Sequence, residues 1–395
     1  MWEVVKKKSN QVETTLAWMD RLFVDEEITK KIGEAMKKGE SFGEEISRLY
    51  ATPQTPPWHA EGRDISEHLR RMFAGLFGVL RGDHLVNLEE FRCQRIFIPE
   101  IQEMEETIGE YAATLQAFIY LHDIGKVETL SFSAPLGSKG SQEGFAQRDR
   151  HHPILATVRE RAWFQKLWNA FALQYPKASA HELQAKFYDT YEIRAHYFRH
   201  AEIGAGNTYL PLCDRVSEAF RLGDRNERLL HFLIRYHMDA MNAPEVIDYL
   251  VHRATKDGLD GDDALDVLFA ARFLDVTLGC VRYREGTYGV DYQPIFDAFL
   301  AEESARPVRR ADRRVRIEKK KNEIERKILH EALLDGDAVF HLLGTPFGPE
   351  RKEMMDTISA LVHGEIETAD FGSHSREILA RVARARMALT QKETS

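Results

Sequence analysis

Cysteine is scarce in this chain of 395 residues. Cys93, Cys213 and Cys280 are the only three, and no two form a Cys-x-x-Cys pair. That excludes a disulfide framework and a zinc ribbon, and predicts a reducing, cytoplasmic setting with three buried, inert thiols. Long apolar runs are also missing. No stretch approaches the ~18 residues that suggest a membrane helix, and the start, Met1 to Lys8, carries no apolar signal core. Positive charge is in deficit: 54 Lys and Arg against 63 Asp and Glu leave a formal net charge of −9. The surface as a whole therefore does not advertise nucleic-acid binding. There is no long alternating strand pattern and no internal repeat.

What is present reads as a soluble, all-α protein. Its 43% hydrophobic and 30% charged content is ordinary, and its length allows two or three sub-domains. A polar N-terminal extension is expected over 1–52, ended by Pro53, Pro56 and Pro57. A helical domain follows over 53–290, interrupted by an insertion at about 127–195. Within it, Asp64 or Ser66 can cap a helix whose apolar stripe runs Ile65, Leu69, Met72, Phe73, Leu76 and Leu80. A helix from about Glu105 to Ile124 comes next, then a polar surface loop over 130–150, a helix over Trp163–Phe171 and another over Ala178–Phe198. Gly286 to Gly289 reads as a turn. A basic helix and a helical C-terminal domain are expected over 291–395. Between Arg306 and Lys327 eleven Lys or Arg residues face only four acids, among them the candidate RNA contacts Arg309, Arg310, Arg313 and Arg314.

The richest run is Leu121-His122-Asp123-Ile124-Gly125-Lys126. A His beside an Asp offers two metal ligands near a helix end, Gly125 suggests a left-handed C-cap, and Lys126 adds a cation. Four more segments place a candidate ligand among apolar or small neighbours: His68, His200, His237 and Asp275. A carboxylate on a buried face needs a cation or a donor, because desolvating an unpaired charge is costly. A shared metal would satisfy these groups together. Mixed imidazole and carboxylate ligands favour a divalent transition metal such as Mn, Fe, Co, Ni or Zn over Ca, with Mg as an alternative. His68, His122, Asp123 and Asp275 are expected to hold one ion. His200 and His237 would hold a second, with Asp123 bridging. His151 and His152 are weaker candidates that would approach from the insertion, and no cysteine is placed to contribute a thiolate.

In order and type, His68, His122-Asp123 and Asp275 resemble the HD-domain metal-dependent phosphohydrolase superfamily. A closer resemblance is to bacterial CCA-adding tRNA nucleotidyltransferases. It is carried by His59-Ala60-Glu61-Gly62-Arg63-Asp64 through His68, by Phe198-Arg199-His200-Ala201-Glu202, and by Arg221-Leu222-Gly223 through His237-Met238. In the tail it is carried by Leu334 to Val339, Gly344 to Pro349 and Gly364-Glu365-Ile366. It covers roughly 55–385, apart from the insertion. The nucleotidyltransferase head is missing, so nucleotide addition is not expected. Arg199 stands where those enzymes have Gly, which crowds the turn before His200. The resemblance implies a phosphodiesterase or phosphatase acting on nucleotide or RNA-end phosphates such as 2′,3′-cyclic phosphates. Asp123 would orient or deprotonate water, Lys126 would stabilise phosphoryl charge, and His151 or His152 would protonate the leaving group. The tail implies contact with tRNA or another RNA. Two rivals remain: a free-nucleotide phosphatase or cyclic-nucleotide phosphodiesterase, and a non-enzymatic RNA-binding module with a structural metal.

Overall fold

The computed structural model describes residues 13–145, 154–308 and 315. The protein is predominantly helical, with two small two-stranded sheets among the described residues. No helix in that set is long and apolar enough to cross a membrane. The chain divides into two compact units, Met1–Pro307 and Val308–Ser395. Arg309, Arg310, Arg313, Arg314, His151 and His152 lie outside the described residues, as does nearly all of the expected C-terminal domain.

The first unit is built around the helix Ile65–Leu80, whose apolar stripe is fully buried at Ile65, Leu69, Met72, Phe73 and Leu76. Its N-cap is Asp64, but that side chain makes no capping bond; it binds Arg63 and Ser66 instead. The helices Thr15–Val24, Glu26–Glu40 and Glu44–Tyr50 add Trp18, Met19, Leu22, Ile28, Ile32, Ile46 and Leu49 to the same core. So does the helix Gln293–Ala305, through Ile295, Phe296 and Phe299. In place of one helix over Glu105–Ile124 there are two, Ile98–Glu110 and Ala112–Leu121. Tyr111 leaves helical geometry between them, at φ −101° and ψ 22°.

Residues 130–150 are not simply a surface loop. Leu130–Ser133 is a strand, buried at Leu130, Ser131 and Phe132, and it pairs antiparallel with Arg194–Tyr197. The expected helix over Ala178–Phe198 accordingly runs only from Ala180 to Tyr191 and ends on left-handed Glu192. Four-residue strands are too short to show alternation, and each finds its partner only across the insertion. Gly286 sits in a turn, as expected, but that turn joins the strands Arg282–Arg284 and Thr287–Gly289. Glu285 and Gly286 both have positive φ, the geometry of the tight hairpin turns that match strand twist.

The insertion carries its own core. The helix Val158–Ala172, with a Thr157–Glu160 capping box, packs through Phe164, Leu167, Trp168 and Phe171 against Phe132, Phe145, Phe187 and Tyr191. Phe132 and Phe164 stack with centroids 5.0 Å apart, and Phe187 meets Trp168 at 4.8 Å.

Candidate metal centre

Five elements deliver the polar residues. His68 lies on the buried stripe of Ile65–Leu80. His122 caps the C-terminus of Ala112–Leu121, and Asp123 follows in the turn. His200 opens the short helix His200–Gly204, just after the strand Arg194–Tyr197. His237 caps Asp224–Tyr236. Asp275 stands in the π-helical stretch Phe273–Gly279 that continues Gly261–Arg272. Such π stretches cluster at functional sites because the extra residue re-aims side chains.

The sequence-predicted ligands converge in two groups. The ligand atoms of His68, His122 and Asp275 lie within 4.8 Å of one another, and so do those of Asp123, His200 and His237. In the first group, His68 Nε2 is 3.1 Å from Asp275 Oδ1 and 3.4 Å from His122 Nε2. In the second, Asp123 Oδ1 is 3.3 Å from His200 Nε2 and 3.9 Å from His237 Nε2. Asp123 also faces the first group, with Oδ2 at 3.4 Å from His122 Nε2. Lys126 Nζ is 2.7 Å from the same Oδ2. That buried oxygen nevertheless makes no well-angled hydrogen bond. Lys126 is itself buried, under the Tyr197 ring at 4.9 Å.

The backbone fixes the imidazoles. Nδ1 of His200 is 2.9 Å from the Tyr197 carbonyl oxygen, and Nδ1 of His237 is 2.9 Å from that of Ile234. His122 Nδ1 reaches the carbonyls of Phe118 and Ile119 at 3.3 and 3.2 Å. A neutral imidazole whose Nδ1–H donates to a carbonyl keeps its lone pair on Nε2. With their Nδ1 atoms held by carbonyls, His200 and His237 aim Nε2 into one space, 3.3 Å apart and beside an Asp123 oxygen. Burial pushes the His237 imidazole down to about 3, so a second proton does not bridge from that ring at neutral pH. A divalent cation satisfies all three acceptors, and the donor set fits one.

The carboxylates are ionised. Burial opposes charge on Asp123, yet His122 and Lys126 hold it well below the usual carboxylate range. Asp275 is lowered in the same way, against its burial, by His68 and His122. Burial also opposes charge on Lys126, and the Asp123 carboxylate more than restores it. Burial and the Asp123 charge raise the Tyr197 phenol well above its ordinary value, so it stays protonated.

One glycine reading changes. Gly125 is not a left-handed cap: its φ is −65° and ψ −17°, at the start of Lys126–Thr129. What it supplies is room. A Cβ there would collide with the His200 carbonyl oxygen and stand 2.8 Å from Gly204 N. Close approach of two backbones, not handedness, calls for glycine. At the crowded turn before His200, Arg199 takes the left-handed conformation at φ 59°, a cost of about 1–2 kcal/mol for a residue with a Cβ. It pairs with Glu202.

Sequence reasoning missed part of the neighbourhood. Cys280 is buried as expected, but it is not isolated: its Sγ lies 3.8 Å from His59 Nδ1 and 3.9 Å from His68 Nδ1. Cys93 is exposed rather than buried. His59 and Glu61 lie in an irregular loop, where no periodicity points inward; the available signals were their closeness to His68 and their place in the run His59–Asp64 that carries the resemblance. No protein-family model, curated protein or solved structure matches the chain.

Proposed function

We propose that this protein is a metal-dependent phosphohydrolase, a phosphodiesterase or phosphatase of the HD-domain type. In this reading His68, His122 and Asp275 hold one divalent ion, His200 and His237 hold a second, and Asp123 lends an oxygen to each. Mn, Fe, Co and Ni suit the mixed nitrogen and oxygen donors. When bound, such ions supply Lewis-acid activation of water and of a phosphoryl oxygen. The observation that carries the reading is Asp123 itself. It is an ionised, buried carboxylate with one oxygen toward each imidazole group and Lys126 at 2.7 Å.

The chain's own residues then divide the work. Asp123 is placed to orient a water molecule or accept its proton. Lys126 is placed to stabilise negative charge gathering on phosphoryl oxygens, in a site where burial strengthens each electrostatic contact. The carbonyls behind His122, His200 and His237 keep the rings in one tautomer. The substrate class we propose is a nucleotide or RNA-end phosphate ester, such as a 2′,3′-cyclic phosphate. The basic run from Arg306 to Lys327 supports RNA, including tRNA, over a free nucleotide.

The test is to strip the full chain of metal and reload it with Mn, Fe, Co or Ni. Each form is then assayed on RNA ends with cyclic phosphates, nucleoside 2′-phosphates and simple phosphate esters. Hydrolysis that requires added metal is expected. Failure to bind any of these ions, with no turnover across the panel, rejects the reading.

A further inference from the structure

Behind His68, on the side away from Asp275, lies a second group of donors: His59, Glu61, Cys280 and the other ring nitrogen of His68 itself. Glu61 Oε1 is 2.8 Å from His59 Nδ1 and 3.5 Å from His68 Nδ1. Cys280 Sγ is 3.8 Å from the first of these nitrogens and 3.9 Å from the second. All four donor atoms lie within 4.8 Å of one another. Bonds of ~2.0–2.3 Å to a tetrahedral ion imply ligand-to-ligand edges of roughly 3.3–3.8 Å. The observed separations bracket that range. Glu61, His68 and Cys280 are buried, while the His59 side chain retains 16% exposure, which leaves the group open on one side.

The local fold holds these donors in place. Cys280 N–H donates to the Asp275 carbonyl at 3.1 Å, closing the π-helical turn so that Asp275 and Cys280 end up on opposite sides of the His68 ring. Gly279 lies against that ring, and a Cβ there would collide with it. The loop 57–61 is pinned to the next strand: Ala60 N–H donates to the Val281 carbonyl at 2.6 Å and Tyr283 N–H to the Pro57 carbonyl at 2.9 Å. Val281 N–H donates to Glu61 Oε2 at 3.0 Å, which leaves Oε1 facing the imidazoles. Gln54 Nε2 is 3.2 Å from His59 Nδ1 and is the other polar contact at that nitrogen.

We propose that His59, Glu61, Cys280 and His68 Nδ1 form a separate site for a borderline-soft divalent cation of the zinc class. The donor chemistry selects the ion. A thiolate with imidazole and one carboxylate suits zinc or cobalt(II) and disfavours Mg and Ca. Charge balance agrees: a carboxylate and a thiolate match one dication, and binding releases the proton of the Cys280 thiol; with both sites filled the His68 ring also gives up its Nδ1 proton and becomes an imidazolate whose negative charge the two cations share. His68 is the hinge between this site and the inner one, with a different ring nitrogen for each. The site does not depend on the hydrolytic reading, because His59, Glu61 and Cys280 take no part in it.

The experiment is cobalt substitution in the full chain. Cobalt-loaded wild-type protein is expected to show a near-ultraviolet thiolate-to-cobalt charge-transfer band. Cys280→Ser should lose that band and bind one equivalent less. Asp123→Asn should keep the band even where hydrolysis is lost, so the two readings fail separately. A second measurement needs no variant: zinc should slow alkylation of Cys280 at least roughly tenfold, as mapped by mass spectrometry. Absence of the band in the cobalt-loaded wild type, or alkylation of Cys280 at the same rate with and without zinc, overturns the proposal.

Discussion

The main helical core buries His68, His122, Asp123, Lys126, His200, His237 and Asp275, whereas the core of the insertion buries rings: Phe132, Phe145, Phe164, Trp168, Phe171 and Phe187. Among the described residues of 127–195, the buried polar side chains beyond Lys126 are only Thr129, Ser131 and Gln184. Desolvating an ion costs several kcal/mol even after relaxation, while a buried aromatic side chain contributes about 1.5–3 kcal/mol. The two regions therefore have opposite energetic characters. One spends stability on charges held in fixed positions; the other is held by apolar packing and carries none of the described candidate ligands.

Substitutions can break that contrast. The largest expected effect is at Asp123. Asp123→Asn keeps the shape but removes the charge shared by both imidazole groups, and should lower metal-dependent hydrolysis on the order of a thousandfold, about 4 kcal/mol in barrier. Helical circular dichroism of the variant should match wild type, while the metal-free variant should unfold at a lower denaturant midpoint, because buried Lys126 loses the carboxylate 2.7 Å away. Full turnover would place the chemistry elsewhere.

Phe164→Ala should do the reverse. Emptying the centre of the aromatic cluster is expected to cost about 3–5 kcal/mol. This would be read as a lower midpoint in chemical denaturation with metal content unchanged. A parallel loss of metal would show that the two cores are one cooperative unit. Gly125→Ala sharpens the inner boundary. Its methyl group would displace the His200 backbone, costing about 1–3 kcal/mol. It should weaken the ion at Asp123, His200 and His237 by about ten- to a hundredfold, measured by competition with a chelator, while His68, His122 and Asp275 keep theirs. The smallest effect is chemical. Burial, with Asp214 close by, pushes the Cys213 thiol up to about 12. In the folded chain it should resist iodoacetamide at pH 8 while exposed Cys93 reacts; equal labelling would mean that its helix, Leu210–Ala219, opens.

The candidate ligands were legible in the sequence because each sits where helix periodicity or a helix end makes an inward side chain visible. His68 falls on an apolar stripe, His122 and His237 end apolar helices, and Asp275 follows one. His59 and Glu61 were not legible as donors, since an irregular loop has no period, and Cys280 gave no sign that it faces them. The strands Leu130–Ser133 and Arg194–Tyr197 were hidden for another reason: their stability comes from pairing across the whole insertion, and neither shows it alone. Gly125 was read with the right residue type and the wrong cause, because which backbone would come close is a tertiary fact.

That ribbon has a consequence for how this chain could vary. Ser133 and Arg194 are facing rungs, so the polypeptide leaves the main helical core and re-enters it at adjacent points. Beyond the last rung the described insertion hangs on this stem and also docks on the core, where Gln184 Nε2 donates to the Gln54 carbonyl at 2.7 Å and the Tyr283 hydroxyl donates to Asp189. A two-residue hairpin turn could close the same stem, with Leu130 and Tyr197 still paired beneath it. The register of such a shortened chain would still be set by four rungs, but the loop at Gln54 to Ala60 and the strand Arg282–Arg284 would lose the support of Gln184, His181 and Asp189.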